Sequence, residues 1–406
     1  MAAETATADL GRRARRVLAG EHDGIEVART EGSFVFDSAG RRYIDFVMGW
    51  CVGNLGWGRP EIRRAVAAAD LPDYVHPEYL YEPWVSLAEK LTELAPGKLA
   101  RCYRATGGTE AVEIALQVAL AATGRKKFVA VEDAYHGNSL GTLSIGGADN
   151  RERYANLLAN CRRLAPPLDD RAATRLETML AKRDVAAFVF EPIACNLGVM
   201  VPTQGFVDRL RELCSRHGTV LVADEVACGF GRTGRLFACE NFGLQPDVLC
   251  LGKAITGGYA PMGATLISET LAKEVGNDVE IWSTFGWHPR SVAAALAVLR
   301  LWEGEGAALL PRVAETSALF EQRLLAMALE PGQLHVQGLA IALEIDDEQR
   351  AASVARRARE EGLLVSAEGG SLRLWPALDI PRATAEEGLD ILERCLELTS
   401  SGSLAS

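Results

Sequence analysis

The sequence has little positive charge to spare. Its 406 residues carry 43 Lys and Arg against 54 Asp and Glu, a formal net charge of −11. Such a chain lacks the clustered cations that neutralise nucleic-acid phosphates, so no nucleic-acid partner is expected. The basic run Arg12, Arg13, Arg15 and Arg16 is isolated and reads as a solvated helix face. No apolar stretch follows it, which argues against a secretory leader. Long apolar runs are also missing. Stretches such as Val292 to Leu299 fall well short of the roughly 20 residues of a spanning helix, so no membrane partner is expected. The nine cysteines form no C-x-x-C pair and the six histidines no H-x-x-x-H spacing. Neither a disulfide frame nor a metal site is expected, and reduced thiols suit the cytoplasm.

What is present is an ordinary globular composition, 48% apolar and 24% charged, over a length that allows one large domain and a smaller one. Ser33 to Asp37 and Arg41 to Phe46 flank a Ser38-Ala39-Gly40 turn and read as a hairpin. From about 60 to 290, helical patterns alternate with apolar strands: Lys127 to Val131, Val185 to Phe190, Thr219 to Ala223, Val248 to Leu251 and Met262 to Ile267. That alternation predicts an α/β domain whose mostly parallel sheet is flanked by helices. Helices at Ala307 to Ala328, Glu348 to Glu361 and Thr384 to Leu398 enclose strands Ala340 to Ile345 and Leu372 to Trp375. They predict a smaller α+β domain formed by both chain ends. The expected division is 1–55, 56–300 and 301–406, with the first segment joining the last.

Two strand ends carry chemistry. Val220-Leu221-Val222-Ala223 runs into Asp224-Glu225, and Val248 to Leu251 runs through Gly252 into Lys253. A carboxylate and a lysine at carboxyl ends of parallel strands suggest one site. An acid for a ring nitrogen and an amine for a Schiff base are what pyridoxal 5′-phosphate (PLP) requires. A solvated loop lysine is the plainer alternative. Thr106-Gly107-Gly108-Thr109-Glu110-Ala111 opens a helix, where free N–H groups and the helix dipole make an anion cradle. Thr109 could equally be a simple N-cap. Gly229-Phe230-Gly231-Arg232-Thr233-Gly234 matches a dinucleotide-binding pattern, but no amphipathic helix follows and no acid stands about twenty residues on. A structural glycine turn is the better account. Tyr135 and His136 follow another strand, where Tyr135 could stack on a flat ring or merely cover the core. Thr284 lies in a loop ahead of a helix and could reach a phosphate or serve a turn. Arg373 alternates with apolar neighbours on a strand, which suits a substrate carboxylate or an internal acid.

In order and spacing these motifs resemble the class III, fold-type I PLP-dependent aminotransferases. The most specific stretch is Asp224-Glu225-Val226-Ala227-Cys228-Gly229-Phe230-Gly231-Arg232-Thr233-Gly234 with Gly252-Lys253 downstream. The resemblance implies that Lys253 holds the cofactor and shuttles a proton, and that Asp224 pairs with the pyridine nitrogen. It implies a cofactor-binding set of Gly108, Thr109, Tyr135, His136, Glu191, Asp224, Val226, Lys253 and Thr284, the last reaching across a homodimer interface. Arg373 matches an arginine that binds an α-carboxylate, so glutamate is the expected donor. In members that use ω-amino acids, an acid covers that arginine; here the corresponding residue is Asn196, in Glu191-Pro192-Ile193-Ala194-Cys195-Asn196. Ala227 stands where a glutamine is common. Gly49-Trp50-Cys51-Val52 looks like the amine-accepting members, so Trp50 and Trp57 are expected as pocket walls, or else as core aromatics.

The expected reaction moves an amino group from a donor to an aldehyde or ketone by ping-pong chemistry. A racemase, aminomutase or decarboxylase of the same fold is the alternative. A non-catalytic scaffold would have no use for the lysine and the acid, and a nicotinamide oxidoreductase rests only on the glycine turn.

Overall fold

The structure is a computed structural model that describes residues 2–20, 24–147, 152–276, 281–327, 332–345 and 347–400. At its centre lies a sheet of seven strands: β4 (Leu99–Ala105), β5 (Lys127–Val131), β6 (Cys161–Leu164), β7 (Val185–Phe190), β8 (Val220–Asp224), β9 (Val248–Leu251) and β10 (Gly263–Ser268). Their spatial order is β4-β10-β9-β8-β7-β5-β6. The five strands from β9 to β6 are mutually parallel, and β10 runs against both of its neighbours. Every residue of β7, β8 and β9 is buried. Both faces are covered, which is why these strands read as unbroken apolar runs instead of alternating ones.

The two strands not anticipated, β4 and β6, are the sheet's two edges. Their sequences, LARCYRA and CRRL, carry arginines. Charge at a sheet edge discourages pairing with another chain and also erases the apolar signature that exposes a central strand.

Helices close both faces. Gly108–Thr123 lays Ala111, Ile114, Ala115, Val118 and Ala119 onto the sheet, and small side chains allow a close approach. Gln204–His217 begins at Thr203, whose side chain accepts from the Phe206 N–H, and stops at Gly218 with φ 61°, a left-handed cap that suits glycine. Pro289–Leu325 is one continuous helix of 37 residues. It begins before the expected Ala307 and runs through residue 300.

Two four-stranded sheets flank the centre. One is formed by β1 (Val27–Glu31), β2 (Phe34–Asp37), β3 (Arg42–Asp45) and β13 (Leu363–Leu364). The hairpin β2–β3 is therefore part of a larger sheet, and the parallel pairing of β13 with β3 brings the two ends of the chain together. The other sheet has the order β11 (Leu334–Gln337), β12 (Ala340–Glu344), β15 (Ser371–Leu374), β14 (Ser366–Glu368). Among the described residues no helix is long and apolar enough to cross a membrane.

Candidate active site

Parallel strands expose their carboxyl ends along one edge of the sheet. Here that edge holds Asp224 as the last residue of β8, Glu191 just after β7, Tyr135 and His136 beyond β5, and Lys253 after β9. All five line a cavity of about 460 Å³, together with Gly108, Thr109 and Val226. Trp50 and Arg373 complete the part that the sequence anticipated.

Asp224 is buried and each of its oxygens has one partner. Its Oδ1 accepts from the Val226 N–H at 3.0 Å, and its Oδ2 lies 2.7 Å from His136 Nδ1. His136 Nε2 is buried and has no hydrogen-bond partner among the described residues. Beside them, Glu191 is buried with Oε1 unpartnered. Burial first, then the negative charge of Asp224, pushes its carboxyl well above the usual range; Lys253 pulls the other way and does not prevail. Lys253 makes no hydrogen bond or ion pair among the described residues and sits at φ 43°, a conformation rare outside glycine. An amine so held is available to something the protein itself does not supply.

The entrance to the helix at Gly108 is shaped by exclusion. The helix at Gly108 is capped by Gly107 with no side-chain hydrogen bond, so Thr109 is not an N-cap and the first N–H groups stay open to a ligand. A Cβ at Gly108 would come 2.6 Å from Val226 Cγ1, and one at Gly137 would come 2.5 Å from Thr109 Oγ1. Glycine at both positions lets the helix end, the β5 loop and Val226 converge.

Two anticipated residues lie elsewhere. Trp57 is not among the cavity's lining residues. Its indole N–H donates to the buried Asp45 at 2.9 Å, and its ring packs where a side chain on Gly53 or Gly258 would stand. Of the two readings offered for it, core aromatic is the one its contacts match. Thr284 is exposed on the loop before Pro289 and does not line this chain's cavity.

The glycine turn at 229–234 proves structural. Arg232, fully buried within it, donates to Leu339 O, Pro376 O and Asn54 Oδ1 at 2.9, 2.7 and 2.7 Å. No open backbone cradle is left there, and the nicotinamide reading loses its one support.

Several lining residues were not foreseen: Cys51, Cys195, Trp375 and the whole of β14. The Gly369-Gly370 pair between Ser366-Ala367-Glu368 and Ser371 is a hairpin signal that would have located β14. The apparent lack of an acid over Arg373 is also corrected. Asn196 donates instead to Asp133 O, and the Arg373 guanidinium is hydrogen-bonded by Glu368 from β14.

A lysine and a carboxylate on neighbouring strand ends, beside an uncapped helix and under two glycines, form a site whose polar groups fit PLP. The chain belongs to the class-III aminotransferases, whose family model matches residues 18–396. It is 34% identical to an acetylornithine aminotransferase of Methanosarcina mazei over 91% of each chain. It is 33% identical to a putrescine aminotransferase of Pectobacterium atrosepticum, over 92% of this chain and 84% of that one. Among solved structures, an amine transaminase from an uncultivated Pseudomonas species in its PLP-bound form superposes with a TM-score of 0.86. It is 30% identical, with 94% of this chain and 98% of that one covered. A thermostable ω-transaminase variant superposes at 0.89 with 23% identity, covering 96% and 99%, which shows the shared fold. The protein is thus a PLP-dependent aminotransferase of fold type I, acting on an amino donor and a carbonyl acceptor.

Proposed function

We propose that Lys253 and Asp224 carry the chemistry, that glutamate is the amino donor, and that the acceptor is an aldehyde or ketone without an α-carboxylate. The observation that carries this reading is one cavity holding an unpartnered lysine, a buried Asp–His pair and a buried arginine. Bound PLP supplies the electron sink that stabilises negative charge at the substrate carbon. The residues supply position and protons. Lys253 Nζ anchors the cofactor and moves the proton at the substrate carbon. Asp224, oriented by His136 and by the Val226 N–H, would accept a hydrogen bond from the protonated ring nitrogen. Gly108 and Thr109 would hold the phosphate at the helix N-terminus, and Tyr135 and Val226, which line the same cavity, would pack against the ring. Glu191, its carboxyl pushed upward by burial and by the charge of Asp224, stands beside that carboxylate. Arg373 binds the donor's carboxylate, and Trp50 walls the pocket. Donor product leaves before the acceptor enters, so both half-reactions share one cavity.

The working unit in this reading is a homodimer in the cytoplasm, with Thr284 reaching the partner's phosphate site. Support comes from large apolar side chains left exposed around that segment: Leu80 at 96%, Tyr79, Trp282 and Phe285. All nine cysteines are free, as suits a reducing compartment. Residues 56–300 are assigned to the large cofactor-binding domain, with 1–55 and 301–406 forming the small one. Relatives named for acetylornithine and for putrescine bracket the substrate choice, one carrying a carboxylate and the other none.

An absorbance spectrum of the purified protein, before and after glutamate under single-turnover conditions, tests the reading. A yellow band that bleaches as 2-oxoglutarate appears is the expected result. A band indifferent to glutamate would exclude it as donor.

A further inference from the structure

The cavity wall at Trp50 rests on a stretch of backbone that L-amino acids avoid. Met48, Gly49, Trp50 and Cys51 follow one another at φ 45°, 61°, 55° and 66°. The left-handed region is ordinarily visited by single residues, because Cβ crowds the following carbonyl oxygen. Three of these four residues carry a Cβ. Such a run persists only where its surroundings hold it in place. The turn closes on itself, with the Trp50 N–H donating to Val47 O at 2.9 Å and the Val52 N–H to Met48 O at 3.0 Å. Two of its residues, Trp50 and Cys51, line the cavity.

Asp45 fastens this turn. It is the last residue of β3, buried, and pairs with Leu364 of β13. Its Oδ1 accepts from the Val47 N–H at 2.9 Å and the Met48 N–H at 2.8 Å, which caps the entry to the turn. Its Oδ2 accepts from Trp57 Nε1 at 2.9 Å. Trp57 is itself anchored, exchanging both backbone hydrogen bonds with Gly32 at 2.8 Å. Its ring stands 3.6 Å from where a Cβ on Gly49 would lie, directly behind the turn. One carboxylate thus ties the turn to the indole that backs it.

Trp50 transmits the effect. It is 61% exposed, and its indole N–H reaches Ser366 Oγ at 3.3 Å. A side chain held so thinly takes its place from its own backbone. What fixes that backbone fixes the wall.

We propose that Asp45 is a positioning residue for the amino-group transfer: it holds the left-handed turn Met48–Cys51 and so sets Trp50 against the substrate. Asp45 does not line the cavity and acts only through the turn. The inference rests on the reading of Trp50 as a wall of the donor pocket, and the test separates the two.

Holoenzyme labelled with 5-fluorotryptophan would be followed by fluorine NMR, with the Trp50 line assigned from Trp50→Phe. The single-turnover reaction of each protein with glutamate, and with n-butylamine, would be measured over a range of donor concentrations. Asp45→Ala should shift or broaden the Trp50 line and raise the half-saturating donor concentration about tenfold. The limiting rate should move less than about threefold, because Lys253 and Asp224 are untouched. Asp45→Asn, whose oxygen still caps the turn, should fall between, and it carries the test if the alanine variant does not fold. Trp50→Ala should raise the half-saturating concentration by itself, and adding Asp45→Asn should then change it no further. An unmoved Trp50 line in the folded Asp45 variants, or an Asp45→Asn effect that persists in full beside Trp50→Ala, overturns the positioning role while the wall stands. Unchanged half-saturation in Trp50→Ala overturns the wall, and the role of Asp45 with it. Indifference of the wild type to glutamate refutes that donor alone, since n-butylamine and the Trp50 line still judge Asp45.

Discussion

Asp224 Oδ2 stands 2.7 Å from His136 Nδ1, and both side chains are shut away from water. The pair bridges two strand ends, since Asp224 closes β8 and His136 follows β5. A buried carboxylate is tolerated when its lone pairs are filled, and here His136 fills one oxygen and the Val226 N–H the other.

The first prediction concerns that bridge. His136→Phe removes the donor while keeping a ring of similar size. A hydrogen bond to a charged group is worth about 1.5–3 kcal/mol, so a weakening of cofactor binding by roughly 10- to 100-fold is expected. Titration of the apo variant with PLP, followed by absorbance, measures it. Wild-type affinity would show that Val226 and the cofactor alone orient Asp224.

Lys253 gives a sharper contrast. Lys253→Ala should retain the fold and bind the cofactor non-covalently, yet lose turnover by about 10³-fold or more, since one group serves as both anchor and proton carrier. Circular dichroism together with a glutamate half-reaction separates the effects. Full activity in the variant would remove Lys253 from the mechanism.

Glu191 predicts a pH dependence with a definite sign. Its carboxyl is raised in the folded state, chiefly by burial and then by Asp224. The folded state therefore holds its proton more tightly than the unfolded chain. The resulting stability is complete below the ordinary glutamate value of about 4.3 and is lost as pH rises through the raised one. Glu191→Gln cannot ionise. Its melting temperature relative to wild type should climb as pH rises above about 4.3, as followed by scanning calorimetry. A pH-independent difference would mean that Glu191 is not held neutral.

The central strands, the lysine and the acid were legible because a fully covered parallel strand must be apolar, and a charge at its end must have a reason to be there. The edge strands β4 and β6 were hidden by the arginines that protect them. Trp57 and Trp50 look alike in the sequence. Only the fold separates them, by putting Asp45 within 2.9 Å of one indole and leaving the other 61% exposed beside the cavity. Glu368 was missed for a different reason. The arginine it serves is five residues further along the chain, but they meet only through a hairpin diagonal. In the sequence, the position where the family resemblance places that acid is held by Asn196.

Arg232 supplies the last prediction. A motif that resembles a nucleotide cradle is here a strut. Its guanidinium reaches from the large sheet's side to Asn54 near the N-terminus and to Leu339 and Pro376 in the C-terminal part of the chain. Burial lowers its pKa, but three oxygen acceptors at 2.7–2.9 Å compensate the desolvated cation. Truncation to alanine would leave a large void and strand acceptors that each cost about 1–3 kcal/mol when unsatisfied. Arg232→Ala should therefore lose about 3 kcal/mol or more and melt several degrees lower. Arg232→Lys should recover only part, because a single ammonium cannot span three acceptors arranged for a planar fork. Differential scanning calorimetry of both variants measures this. Wild-type melting in the alanine variant would show that the chain ends are held to the sheet by packing alone.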